Sequence, residues 1–209
     1  VLAFIFLKLF GRNAFDLPYY FPVLDDSGEV LITEGDTVFT TAPAFSLLDT
    51  KGDTVKVDTG SIRVVNFFFS RCGTICPVAN TLMAEVADNF KENAAVQFYG
   101  LSVDPKYDTP EVLHTYSRAL GLEGLNYHLL TGDKKYIYDL SIQGYHLPVA
   151  DASEYDSSIT DIDQMFIHSD KVLLIDKKGY FRGIYSGTKK DEMDRLKVEI
   201  KVLLSQDEK

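Results

Sequence analysis

The two cysteines of this chain, Cys72 and Cys76, lie four residues apart in the stretch FFFSRCGTICPVAN, residues 67–80. Residues four apart in a helical turn share one face, so the two sulfurs would be close enough to form a disulfide or to bind one ion together. A helix N-terminus and the adjacent Arg71 would both favour the thiolate form. The pair is therefore compatible with a structural role, with thiol-disulfide exchange or with metal binding.

These three interpretations make different demands on the chain. A disulfide across so short a loop would contribute only about 2 kcal/mol on the chain-entropy model. A chain of 209 residues, 45% of them apolar, can build its core without such help. Exchange needs thiols that a partner can reach, so we expect both to react with an alkylating reagent in the folded protein. Two thiolates suit copper(I) or zinc, but two ligands seldom complete a metal site.

A third ligand would have to come from the four histidines of the chain. His114 falls inside a predicted helix, His128 inside a predicted strand and His146 in an irregular segment, where packed or surface histidines are commoner than ligands. His168 differs because it stands at a junction between an acidic loop and the strand KVLLID. From the residues alone, His168 is equally compatible with a packed side chain and with a metal ligand.

The apolar pattern predicts the elements that position these residues. In order, they are a hairpin (44–60), a buried strand (61–69), a helix (77–93), a strand (95–104), a helix (108–121), a strand (126–132), a short helix (133–144), a strand pair (165–187) and a last helix (189–206). Alternating strands and helices imply a parallel core, to which the late strand pair adds antiparallel strands. The order predicts an α/β fold of thioredoxin-like layout, with a central mixed sheet flanked by helices and an N-terminal hairpin.

Local signals refine this layout. In the helix after the cysteines, Val78, Leu82, Val86 and Phe90 recur every four residues, which predicts one buried stripe. The next helix has a capping residue at Thr109 followed by proline, and Gly121 as its stop signal. The stretch 151–163 carries five acidic residues and no basic one, which predicts a solvated loop.

The N-terminus and the overall charge bear on location and partners. The first ten residues, VLAFIFLKLF, are almost wholly apolar but too few to span a bilayer. We interpret residues 1–10 as the end of a truncated membrane anchor, residues 11–41 as a linker or pre-domain segment, and residues 42–209 as the folded domain. The net charge of −10 disfavours nucleic acid and anionic membrane surfaces as partners.

Three stretches together resemble the Sco/SenC family. FFFSRCGTICPVANTLMAEV (67–86) resembles the family's signature, in which a phenylalanine-rich strand leads into Cys-x-x-x-Cys-Pro. LSVDPKYDTPEVLHTYSRALG (101–121) resembles the strand and helix that follow, and FIHSDKVLLIDKKG (166–179) resembles the family's third site. The match runs in order from about residue 42 to residue 205.

The resemblance implies a thioredoxin-like copper protein that helps to assemble the binuclear copper centre of cytochrome c oxidase. Carried over by position, Cys72, Cys76 and His168 become ligands of copper, as Cu(I) or Cu(II). The implied partners are the copper-site subunit of the oxidase and other copper chaperones or thioredoxin-like reductases. The implied location is membrane-anchored, with the soluble domain in the bacterial periplasm or at the outer face of the cytoplasmic membrane. Gly73-Thr74 replaces the Pro-Asp of many members, so a negative charge beside the thiolates is missing.

Other functions stay open beside the copper chaperone. Cys72 and Cys76 could instead be the redox pair of a thiol-disulfide oxidoreductase that reduces the cysteines of the oxidase copper site or of another periplasmic partner. His168 distinguishes the two, because exchange needs no imidazole ligand. A peroxide-reducing thioredoxin relative fits less well, because such enzymes usually offer a single peroxidatic cysteine. A non-catalytic binding or redox-sensing module of the same fold is a further alternative. The roles of Asp161 and Asp163 stay open.

Overall fold

The structure is a computed structural model that describes residues 16–156, 158–159 and 166–207, with the backbone alone for Ile167, His168 and Asp207. The strands are β1 (Ile32–Thr33), β2 (Asp36–Thr37), β3 (Phe45–Leu48), β4 (Thr54–Val57), β5 (Ile62–Phe68), β6 (Val96–Ser102), β7 (Tyr127–Leu130), β8 (Val149–Asp151), β9 (Phe166–His168), β10 (Lys171–Ile175) and β11 (Phe181–Ser186). The helices are α1 (Ile75–Asp88), α2 (Pro110–Ala119), α3 (Lys134–Asp139) and α4 (Lys190–Asp207), with a π-helical turn at Leu140–Gly144 and a 3₁₀ turn at Ala152–Glu154.

A five-stranded mixed sheet forms the centre of the fold, in the order β11-β10-β5-β6-β7. The strands β5, β6 and β7 are parallel, whereas β10 runs antiparallel to both β5 and β11. Every residue of β5 is buried, as expected for a strand covered on both faces. The hairpin β3–β4 precedes the sheet, with Phe45 opposite Val57. The predicted α/β class, mixed sheet and N-terminal hairpin are confirmed.

The ends of α2 follow the local signals in the sequence. The Thr109 side chain accepts a hydrogen bond from the backbone N–H of Val112 at 3.4 Å, and Pro110 opens the helix. Gly121, just beyond the helix, has φ +68°, a left-handed conformation that glycine adopts without a Cβ clash. Both predicted boundaries of this helix are confirmed.

The buried face of α1 differs from the prediction. Val78, expected in the buried stripe, is 47% exposed. The helix instead buries Cys76, Ala79, Asn80, Met83, Val86 and Ala87, which recur at steps of three and four from the second cysteine onward. The prediction is confirmed for Val86 and Phe90, which are buried, and wrong for Val78. The buried face is turned toward Cys76 and Asn80, which the prediction left out of the stripe.

The acidic segment is not a solvated loop at its start. Asp151 ends β8, which pairs antiparallel with β9, and its side chain is largely buried. Lys134 Nζ, at the start of α3, lies 2.6 Å from Asp151 Oδ2 and 2.6 Å from Glu154 Oε1. The prediction failed here because the neutralising lysine is distant in sequence. Asp161 and Asp163 lie outside the described residues.

The N-terminal segment packs against the far edge of the sheet. The backbone N–H of Tyr20 donates to the Phe181 carbonyl at 3.0 Å, and Arg182 Nη2 lies 2.6 Å from Asp16 Oδ1. Residues 1–10, interpreted as the end of an anchor, lie outside the described residues. Within the described ranges, no helix has the length and apolar character needed to cross a bilayer. The division of the chain at residues 10 and 41 stays a prediction.

We predict that Lys134→Met loosens the β8 region, because the substitution leaves a mostly buried Asp151 carboxylate without its cation. The free energy of unfolding should fall by about 1.5–3 kcal/mol, the range for a hydrogen bond to a charged group. Amide hydrogen exchange of residues 149–154 should quicken. Lys135→Met is the matched control, since Lys135 pairs with Asp139 on the exposed surface. Equal effects of the two substitutions would contradict this role.

Candidate metal and thiol site

Both cysteines lie at the junction between the end of the central strand β5 and the start of α1. Cys72 lies in the connecting loop, with its backbone N–H donating to the Phe69 carbonyl at 3.3 Å. Cys76 lies in the first turn of the helix, and its backbone N–H points at Cys72 Sγ, 3.4 Å away. Both are thiols and are not joined by a disulfide. The structure therefore brings the two sulfurs together at the predicted strand-to-helix junction.

The two thiols differ sharply in acidity. The hydrogen bond from the Cys76 thiol is the largest influence on Cys72 and lowers its pKa to about 4 against the opposing effect of burial. The same hydrogen bond, together with burial, raises the pKa of Cys76 well above its usual value. The Thr74 hydroxyl, 3.6 Å from Cys72 Sγ, adds a weaker contact. At neutral pH the pair is thus a thiolate at Cys72 and a thiol at Cys76.

Arg71 does not play the part that the sequence suggested. Its Nη2 atom lies 2.5 Å from Asp104 Oδ2, and its guanidinium stacks over the Tyr107 ring at 4.2 Å. The Cys76 thiol, rather than Arg71, is the main stabiliser of the Cys72 thiolate. Burial raises the pKa of Asp104 and the Arg71 cation opposes this effect. The side chain of Arg71 thus ties the cysteine loop to the loop that follows β6.

A buried carboxylate fixes the same loop from below. Asp108 is fully buried and accepts hydrogen bonds from the backbone N–H of Ser70 at 3.0 Å and from the Ser70 hydroxyl. The Ser102 hydroxyl, at the end of β6, donates to Asp108 Oδ2, the oxygen that also accepts from the Ser70 backbone, while the Ser70 hydroxyl donates to Oδ1. Sequence reasoning assigned no role to Asp108, although it falls within the family-like stretch DPKYDTP. The sequence signal that could have drawn attention to Asp108 is its position directly before Thr109, the capping residue of α2.

A layer of polar side chains lies one helical turn beyond Cys76. Asn66 Nδ2 donates to Asn80 Oδ1 at 2.9 Å, and Asn80 Nδ2 donates to the Tyr116 hydroxyl at 3.1 Å. The Tyr127 hydroxyl donates to Asn80 Oδ1 at 3.2 Å. Each link satisfies a group that would otherwise be costly to bury. The layer connects β5, α1, α2 and β7 beneath the site, and sequence reasoning missed it.

The thiols are less accessible than expected. Cys72 is 5% exposed and Cys76 is 3% exposed, so the expectation of freely accessible thiols is wrong for this conformation. A cavity of only about 10 Å³ lies beside Cys76, bordered by Asn66–Phe68, Ile75, Ala79 and Ser169–Lys171. That volume is at the lower limit for a single water molecule. A partner can reach the sulfurs only after the surrounding chain moves.

Three of the four histidines pack elsewhere or face solvent, and only His168 remains a candidate for the third metal ligand. His128 contacts Gln97 and stacks on Tyr99, His146 stacks on Phe21, and His114 is exposed on α2. His168 ends β9, with its backbone opposite Val149. The three residues that follow it border the cavity beside Cys76.

The assignment of His168 as a ligand concerns a side chain outside the described part of the structure. Among the side chains that are described, no group of three or more His, Cys, Asp or Glu could hold a metal ion. The predicted ligand set therefore remains two described sulfurs and one predicted imidazole.

Comparison with known proteins identifies a similar family. A family model described as SCO1/SenC matches residues 34–204 of the chain. A SCO2-like protein of Rickettsia typhi is 30% identical over 151 residues, which cover 68% of this chain and 68% of the relative. The range matched by the family model, residues 34–204, includes the cysteine loop, the buried Asp108 and the strand pair at the end of the sheet.

Solved structures share the fold. A SCO1/SenC family lipoprotein from Bacillus anthracis has a TM-score of 0.68 at 26% identity, over 79% of this chain and 95% of the other. BsSco, a member of the Sco family of cytochrome c oxidase assembly proteins in which a disulfide switch was identified, has a TM-score of 0.64 at 22% identity, over 78% and 93%. Bradyrhizobium japonicum ScoI with copper bound has a TM-score of 0.64 at 22% identity, over 78% and 99%.

We predict that the alkylation rate of Cys72 in the reduced protein is nearly constant from about pH 6 to pH 8. An ordinary thiol, with a pKa of about 8.5, would react roughly tenfold faster for each pH unit over that range. Cys76→Ala removes the thiol donor, so the Cys72 rate should become steeply pH-dependent. Thr74→Val, which removes the weaker contact, is the control. Iodoacetamide labelling followed by mass spectrometry measures each rate, and a steep wild-type profile would refute the thiolate assignment.

Proposed function

Because this chain belongs to the SCO1/SenC family, we propose that it is a copper metallochaperone whose Cys72 and Cys76 bind the ion and release it to a partner. The observation that carries the proposal is the close pairing of a thiolate with a thiol at one helix start, where the Cys76 backbone N–H lies 3.4 Å from Cys72 Sγ. Two soft sulfurs in this arrangement suit copper(I).

The two sulfurs contribute in different ways to binding. Cys72 offers a thiolate without losing a proton, because its pKa is already low. Cys76 must release its proton before its sulfur can act as a ligand, so binding is coupled to pH. The Asp108 hydrogen bonds and the Arg71–Asp104 ion pair hold the loop in which Cys72 lies. The loop is thus prepared for the ion before the second sulfur is deprotonated.

His168 is the third donor in this proposal. Its support is positional: it ends β9 opposite Val149, and the chain after it passes the cavity beside Cys76. An imidazole nitrogen added to two sulfurs gives a three-coordinate site that suits copper(I) and can adapt to copper(II). Lys134, through Asp151, fixes the strand with which β9 pairs.

The proposed recipient is the copper-site subunit of cytochrome c oxidase, with the domain anchored to the membrane and exposed in the periplasm. Support comes from the relatives: BsSco belongs to a family of cytochrome c oxidase assembly proteins, ScoI binds copper, and the Bacillus anthracis relative is a lipoprotein. The apolar first ten residues fit the same location. Other copper chaperones or thioredoxin-like reductases would supply the ion or restore the thiols.

A thiol-disulfide oxidoreductase is the second candidate function, and the acidity difference between the two thiols favours it. A Cys72 thiolate could attack a disulfide of a partner, and Cys76 would then resolve the mixed disulfide as its own proton leaves. The partner's disulfide would be reduced as Cys72 and Cys76 are oxidised to a disulfide. The two functions use the same sulfurs, so only the third ligand separates them.

We predict that His168→Ala weakens copper(I) binding without abolishing it, because two thiolates still hold the ion. The copper(II) absorption spectrum should be lost or altered, since copper(II) prefers more nitrogen and oxygen donors. Disulfide exchange should change little. Cys76→Ala should abolish both activities, whereas His128→Ala, which alters a histidine that contacts Gln97, should affect neither. Anaerobic copper(I) titration with thiol counting, and copper(II) spectra, provide the measurements.

We also predict that oxidase assembly fails in a deletion strain complemented with His168→Ala at limiting copper. Assembly should be restored by the wild-type chain and by His128→Ala. Oxidase activity and the optical signature of its binuclear copper centre provide the readout. Normal assembly with His168→Ala would overturn copper delivery as the main task and favour the oxidoreductase.

A further inference from the structure

Arg63, on the central strand β5, is a fully buried cation without a visible counter-ion. Its side chain is 0% exposed, and its Nε, Nη1 and Nη2 atoms have no hydrogen-bond partner among the described residues. A guanidinium carries five N–H donors and stays charged in proteins. An unpaired charge in a protein interior is strongly destabilising, so the folded state needs a partner for this group.

A second buried arginine shows how this fold satisfies such a group. Arg182, on β11, is 3% exposed, and its guanidinium bonds Asp176 at 3.0 Å and Asp16 at 2.6 Å. It also donates to the carbonyls of Leu17 and Pro18. The two arginines belong to the same sheet, yet one has a full set of acceptors and the other has none that the structure describes.

Two tyrosines, Tyr145 and Tyr99, lie near Arg63, and neither is hydrogen-bonded to its guanidinium in the described part of the structure. Tyr145, which packs against Phe67 and Phe181, has a buried hydroxyl that also lacks a partner among the described atoms. Burial raises the pKa of Tyr145 and of Tyr99, and in both cases the Arg63 charge opposes this rise. Phe67, which Tyr145 contacts, lies four residues after Arg63 on β5 and therefore on the same face of the sheet. The Tyr145 hydroxyl is thus placed to donate a second hydrogen bond to an anion held beside the guanidinium.

Gly179, the last residue of the Asp176–Gly179 turn, lies beside the Arg63 guanidinium and has no side chain to cover it. A Cβ at Gly179 would stand 3.6 Å from Arg63 Nη2 and 3.4 Å from the Thr41 Cβ. Glycine leaves that side of the guanidinium bare, with about the space of one methyl group. Such a space is too small for phosphate or for a carboxylate ligand with a chain attached.

We propose that Arg63 and the Tyr145 hydroxyl bind a small monovalent inorganic anion, of the size of chloride, in the interior of the domain. The anion neutralises the guanidinium and accepts hydrogen bonds from groups that are otherwise unpaired. A water molecule in the same space would solvate the charge only in part. The site is separate from the cysteines: Arg63 is near the start of β5 and the cysteine loop follows its end, roughly 17 Å away at about 3.3 Å per residue.

The test is thermal unfolding of the full chain at constant ionic strength, with sodium chloride replacing sodium gluconate. A ligand that binds only the folded state raises the midpoint as its concentration rises. The wild-type midpoint should therefore rise with chloride, and Arg63→Met should lose this dependence. Arg118→Met is the control for general charge effects, because Arg118 is a largely exposed arginine, and it should keep the wild-type dependence. A flat wild-type response, or an unchanged response in Arg63→Met, would overturn the proposal.

A direct measurement covers the case in which Arg63→Met does not fold. Wild-type crystals grown in bromide should show an anomalous scattering peak between the Arg63 guanidinium and the Tyr145 hydroxyl. Tyr145→Phe removes one donor but keeps the ring, so it should weaken the chloride dependence while the protein stays folded. Absence of the bromide peak in ordered crystals would show that no halide binds there and would refute the proposal.

Discussion

The carboxylate of Asp108 is the contact on which the geometry of the site depends. It is buried between the end of β5 and the end of β6, and it accepts from the Ser70 backbone, the Ser70 hydroxyl and the Ser102 hydroxyl. A buried carboxylate with several donors is strongly held, because each unmade hydrogen bond would leave a charge unsatisfied. The loop that presents Cys72 is therefore fixed to the sheet, and the start of α1 then sets Cys76 beside it.

The sequence predicted the parts of this fold that repeat a local pattern. The apolar runs predicted β5 and β6, and the capping signals predicted α2. Both kinds of signal depend only on residues that are close together in the sequence. The position of the cysteine pair followed from the same pattern. Local patterns could not reveal three other features. The buried face of α1 and the strand ending at Asp151 depend on partners distant in sequence. The unequal acidity of the thiols depends on the hydrogen bond between them.

Burial gives the two sulfurs a protected resting state. Cys72 and Cys76 are almost wholly covered, and the cavity beside them is too narrow for a partner's side chain. A protected thiolate is shielded from oxidants and from adventitious ions, yet it must be exposed for any transfer between proteins. The polar layer through Asn80 and Tyr116 keeps the base of the site rigid. Access to the sulfurs therefore requires residues that border this cavity, Ser169–Lys171 among them, to move aside.

If the chain is anchored as proposed, the ion pair between Asp16 and Arg182 would limit how far the domain can stand from the membrane. Asp16 is held to the edge strand β11, together with the carbonyls of Leu17 and Pro18. If the proposed anchor ends at residue 10, the six residue steps from there to Asp16 span at most about 22 Å when fully extended. A tether this short would confine the domain to a thin layer above the bilayer. It would search for its recipient by diffusing in two dimensions, which favours a membrane-embedded recipient over a freely diffusing one.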